Sequence, residues 1–134
     1  MRCHKGALKP PLYFHLLLHS KTMNQQIKQR WIEALKSGEY QQGWESLCYN
    51  NKFCCLGVLT DLYIKEHGLQ WHKDVGGCWS LDGEGGVLPS SVQAWAGLND
   101  ANPMILGDCA TDHNDGTNAS FEEIAGYIEQ DPIL

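Results

Sequence analysis

Apolar residues recur at helical spacing in three places along the chain and crowd a fourth. Ile27, Trp31, Ala34 and Leu35 form one stripe, predicting a helix of about three turns, capped by Thr22 or Asn24 and stopped by Ser37-Gly38. Phe121, Ile124, Ala125 and Ile128 form another at i, i+3, i+4, i+7. Just before it, Ser120-Phe121-Glu122-Glu123 reads as a capping box, in which the Ser and Glu side chains each satisfy the other's free amide. Val92, Trp95 and Ala96 predict a shorter helix, with Pro89 at its first position and Gly97 as its stop. In residues 50–68 the pattern changes. Cys54, Cys55, Leu56, Val58, Leu59, Leu62, Tyr63 and Ile64 cover most of a helix circumference, so this helix should be surrounded by other elements and form the core. Asn50 or Asn51 is its expected cap and Gly68 its end.

Shorter runs suggest strands. Residues 43–49 carry Trp44, Leu47 and Tyr49. The glycine-rich stretch 71–87 places Cys78-Trp79-Ser80-Leu81 and Val87-Leu88 on either side of Asp82-Gly83, which reads as a hairpin. Met104-Ile105-Leu106 is a short extended run after a turn at 99–103. The expected architecture is one α+β domain over residues 23–134, with about four helices and a small antiparallel sheet or hairpin.

Residues 1–22 differ in composition, holding Arg2, Lys5, Lys9 and Lys21 and no acid. Their apolar run, residues 12–18, is interrupted by His15 and lacks a small-x-small cleavage site, so it makes a poor signal peptide. It is also well short of the roughly 20 residues of a membrane span. We expect translation to begin at Met23 and the leader to contribute little to the fold. Residues 23–134 hold six Lys and Arg against sixteen Asp and Glu, a net charge of −10. Such a surface repels nucleic-acid phosphates and suits a basic protein partner or a DNA-mimicking role. Residues 116–125 loosely echo the opening of a helix-turn-helix, yet no Lys or Arg follows Lys73, so direct nucleic-acid binding is not expected.

The six cysteines include the adjacent pair Cys54 and Cys55 inside the apolar helix. Free Cys behaves there as a small hydrophobe, which predicts a reduced, cytoplasmic protein. No Cys-x-x-Cys pair points to zinc, and no cofactor is expected. A thiol at a helix N-terminus can be a nucleophile, with His67, His72 or His113 as base. Against that, Phe53 and Leu56 should bury the pair. Asp112, Asn114, Asp115, Gly116 and Glu122 form a candidate metal cluster, in which Gly116 followed after five residues by Glu122 matches the second half of a calcium loop, but Thr111 and His113 stand where its first oxygen ligands belong. Trp44, Trp71 and Trp79 lie in glycine-flanked segments and are candidates for a ligand or partner surface. The competing reading makes them core plugs.

Three segments carry a resemblance: Lys52-Phe53-Cys54-Cys55-Leu56-Gly57-Val58-Leu59, then Val87-Leu88-Pro89-Ser90-Ser91-Val92 with Trp95-Ala96-Gly97-Leu98, then Ser120-Phe121-Glu122-Glu123-Ile124-Ala125. In this order and spacing they resemble a family of small uncharacterised proteins common in phages, prophages and some bacterial genomes. The leader and residues 109–118 depart from that pattern. The resemblance implies a phage-type accessory protein acting on the host, counter-defence included. The expectation is a non-enzymatic, cytoplasmic protein that binds a host protein or sequesters a small nucleotide-like ligand, with self-association left open. A Cys/His-dependent hydrolase and a structural interaction module are the alternatives.

Overall fold

The computed structural model describes residues 22–134; apart from Thr22, the expectations for the leader lie outside the described residues. Helix α1 (Gln25–Lys36) begins at Asn24, whose side chain accepts from the Gln26 and Ile27 amides. It buries Ile27, Trp31, Ile32 and Leu35. Polar β1 (Gln41–Gln42) follows, then β2 (Cys48–Tyr49) and β3 (Lys52–Phe53). Central helix α2 (Cys55–His67) buries Cys55, Leu56, Val58, Leu59 and Ile64, together with Gly57, Thr60 and Asp61. The all-round apolar pattern therefore marks the core as expected. Gly68 ends the helix at φ +64°.

Strands β4 (His72–Lys73) and β5 (Cys78–Ser80) complete a mixed sheet of order β1-β3-β2-β5-β4, in which only β1 and β3 run parallel. Helix α3 (Ser90–Ala96) stops at Gly97, φ +74°. A separate two-stranded hairpin joins β6 (Met104–Ile105) to β7 (Asp108–Cys109), followed by a π-helical turn, Asp112–Gly116. Helix α4 (Phe121–Gln130) carries both hydrogen bonds of the Ser120–Glu123 capping box. It packs on α1, and α1 packs in turn on α2, where Trp31 Nε1 donates to the Cys55 carbonyl at 2.9 Å. The chain is a single α+β domain, and no described helix is long and apolar enough to cross a membrane.

Four sequence expectations need correction. Asn50 and Asn51 do not cap α2. Both have positive φ, +53° and +62°, and form the two-residue turn between β2 and β3, where the right-handed twist of the strands favours left-handed residues. Cys54 is the N-cap instead, without a side-chain cap bond. Extended structure in 43–49 is confined to Cys48–Tyr49. Asp82-Gly83 is a tight turn closed by a single Leu81–Glu84 bridge; the partners of β5 are β2 and β4. Pro89 is the N-cap of α3, one residue outside the helix.

Candidate functional site

The β2–β3 and β4–β5 hairpins place their turns at the same end of the five-stranded sheet, because Tyr49, the last residue of β2, pairs with Cys78, the first of β5. One turn is Asn50-Asn51. The other is built on Asp74, whose Oδ1 accepts from the Gly76 amide at 2.9 Å and the Cys78 amide at 3.0 Å. Gly77 completes it at φ +88°. A Cβ on Gly77 would come 3.3 Å from Cε1 of Tyr49, so the bare glycine is what lets that ring lie against the turn.

An open cavity of about 260 Å³ lies between the turns, lined by Tyr49, Asn50, Asn51, Lys73, Gly77 and Trp79. Tyr49 is 50% exposed. Trp79 is flanked in register by Cys48 and Lys73, and the Lys73 ammonium stands 5.6 Å from its ring centroid. Of the six cations in residues 23–134, Lys28 is buried against the Asp131 and Leu134 carbonyls. Arg30 pairs with Glu66, Lys36 with Glu129 and Lys65 with Asp61. Among the described residues, Lys52 and Lys73 have no carboxylate within ion-pair distance, and Lys73 lines the cavity. The Asn50 and Asn51 carboxamides make no hydrogen bond to another described residue. The cavity lining thus includes an ammonium with no carboxylate partner beside the Trp79 ring, two carboxamides that are each a donor and an acceptor, and Tyr49, which the register sets on the opposite face of the sheet from Trp79.

The three candidate tryptophans are not brought together. Trp79 is in the cavity wall. Trp71 lies between sheet and central helix, its ring 6.2 Å from Phe53 and its Nε1 donating to Asp61 Oδ1 at 2.9 Å. The other oxygen of Asp61 accepts from the Tyr40 hydroxyl at 2.6 Å and meets the Lys65 ammonium at 3.1 Å. Burial, then the Asp61 bond, pushes the Tyr40 hydroxyl up to about 12. Trp44 is half exposed on the loop before β2, beside Glu45. Asn50, Asn51, Lys73 and Gly77 were missed in the sequence, although Asn-Asn between two short apolar runs is a hairpin signal.

Cys54 and Cys55 are buried. Burial pushes the Cys54 thiol up to about 12 and raises Cys55 well above the ordinary thiol range. Desolvation therefore outweighs the helix N-terminus, which favours thiolate. His67 lies at the far end of α2, roughly 18 Å along the axis at 1.5 Å per residue, with Nδ1 against the Tyr63 carbonyl. His113 is buried with Nε2 on the Ile105 carbonyl at 2.6 Å, and His72 is exposed on β4. Cys48 and Cys78 are also free thiols, whereas the buried Cys109 sulfur is disulfide-bonded, a departure from the all-reduced expectation.

Asp112 and Asp115 lie on the π turn and Glu122 on the first turn of α4. Asp115 Oδ1 accepts from the Glu45 amide and from Asn114. Among the described residues no group of three or more His, Cys, Asp or Glu is placed to hold a metal ion. No curated protein and no solved structure matches the chain. A family model does match residues 23–132, and the chain therefore belongs to the family described as a domain of unknown function, DUF8296.

Proposed function

We propose that this chain is a binding protein, and that its ligand is a small, planar, anionic molecule of nucleotide type held between the two turns at the end of the sheet. The observation that carries this is the unpaired Lys73 ammonium beside the Trp79 ring in a cavity shared with Tyr49. An exposed cation over an indole contributes only about 0.5–1 kcal/mol. A base stacking on Trp79 can therefore displace the flexible lysine to the ring's edge, where it meets the ligand's negative charge. The free carboxamides of Asn50 and Asn51 match the mixed donor and acceptor edge of a nucleobase.

Catalysis through Cys54 or Cys55 is disfavoured by their burial and raised thiols. In the phage-type setting that the sequence resemblance implies, such a protein would act on its host by sequestering the ligand. The test follows tryptophan fluorescence of the full chain as nucleosides and nucleotides are added, for the parent and for Trp79→Ala. Saturable binding in the parent, lost in Trp79→Ala while its melting temperature stays near the parent's, supports the reading. Binding that survives the substitution overturns the site, and no binding by any of these ligands overturns the ligand class.

A further inference from the structure

We infer that the ligand carries one phosphate group, as a nucleoside monophosphate does, rather than a triphosphate chain or a nucleic-acid polymer. This rests on the ligand reading above and narrows it by charge and space. The formally charged residues of the two hairpins are Lys52, Lys73 and Asp74. Asp74 is the turn's own hydrogen-bond acceptor, and Lys52, opposite Tyr49 on β3, is outside the cavity lining. The hairpins therefore hold a net charge of about +1, and the cavity wall has one ammonium, that of Lys73.

One phosphate group, with a charge of about −1.5 to −2 near neutral pH, already exceeds the single positive charge of this cation. Each further phosphate brings charge that no cation in the wall meets, and the surrounding −10 of residues 23–134 opposes it. Polymers are opposed more strongly, since their binding depends on several cations neutralising successive phosphates. Space points the same way. The cavity, about 260 Å³ and open to solvent, is below the roughly 300–1,000 Å³ of pockets that enclose drug-sized ligands. A cavity of that size suits a small ligand, with Trp79 and Lys73 both in its lining.

The experiment is isothermal titration calorimetry of the full chain at low salt. The probes are adenosine, guanosine, cytidine and uridine, their 5′-monophosphates and 5′-triphosphates, and a short single-stranded oligonucleotide. For at least one base the monophosphate should bind roughly threefold or more tightly than its nucleoside, the scale of one exposed charge pair. The triphosphate and the oligonucleotide should bind no more tightly than the monophosphate. In Lys73→Gln the advantage of the monophosphate should vanish while nucleoside binding persists. A triphosphate or oligonucleotide that binds more tightly, or a phosphate preference that survives Lys73→Gln, overturns this inference and leaves the aromatic site standing. Absence of binding across the whole set overturns both.

Discussion

Gly57 stands so close to Leu47 that a Cβ built on it would lie 1.8 Å from the Leu47 carbonyl oxygen and 2.7 Å from the carbonyl carbon. The same carbonyl accepts from the Cys54 amide at 3.3 Å. The segment leading into β2 therefore crosses the first turn of α2 in direct backbone contact, and this crossing sets where the sheet sits on the central helix.

Gly57→Ala should destabilise the protein. In an exposed helix interior Ala is favoured over Gly by about 1 kcal/mol, but the neighbour here is backbone and must move. We expect a net loss of about 3 kcal/mol, at the upper end of overpacking costs, read as a lower urea midpoint with an unchanged slope. Equal or greater stability would mean that the crossing yields easily.

Asn114 should be nearly as sensitive. Its buried side chain accepts from the Cys55 amide at 3.2 Å and Gln42 Nε2 at 3.0 Å, and donates to the Gly43 carbonyl at 2.9 Å and Asp115 Oδ1 at 2.8 Å. Asn114→Ala orphans partners on β1, the following loop and the N-terminus of α2. A loss of about 3 kcal/mol or more is expected, since each stranded buried group costs about 1–3 kcal/mol. Thermal denaturation measures it, and a melting point within a degree or two of the parent's would show that water replaces the amide.

Trp71 and Trp79 should separate under truncation. Trp71→Ala removes the ring against Phe53 and leaves Asp61 without its indole donor, so the variant should melt well below the parent, by about 3 kcal/mol in stability. Trp79→Ala should melt much closer to the parent. If the order is reversed, Trp79 is the core plug and the cavity assignment falls.

Thiol labelling should rank the free cysteines by burial. Cys54 and Cys55 should be modified slowly in the native protein, and the partly exposed Cys78 faster. Rapid labelling of Cys54 or Cys55 near pH 7, located by peptide mass spectrometry, would restore the hydrolase alternative.

The same burial sets the alkaline limit of stability. Cys48 and Cys54 are pushed up to about 11 and about 12 by desolvation, from an ordinary value of 9.0. As pH rises past about 9 the unfolded chain gives up these protons while the folded chain keeps them. Their contribution is therefore complete below about pH 8 and is lost as pH climbs toward 11–12. Urea titrations at stepped pH should show a fall beginning near pH 9 that is shallower in Cys54→Ala. A flat profile to pH 10.5 would contradict it.

Wherever the controlling interaction is local, the one-dimensional pattern was enough. The Asn24 cap, the Ser120–Glu123 box and the glycine stops at 68 and 97 involve residues within a few positions of one another, and all stand as read. The central helix was legible too, because apolar residues around its circumference leave it no place but the interior. The structure decided matters in which one residue type serves two local purposes. Asn50 and Asn51 suit a helix cap and a left-handed turn equally; pairing of β2 and β3 with each other and with β1 and β5 chose the turn. Asn114, read only as a weak metal ligand, became the buried link between α2 and β1 through partners 59 and 72 residues away. The fates of Trp71 and Trp79, both in glycine-flanked segments, were set by what folds against each ring. Burial sums contacts from distant parts of the chain, and the cavity joins two turns more than twenty residues apart in sequence, so neither can be read from the pattern along any one stretch.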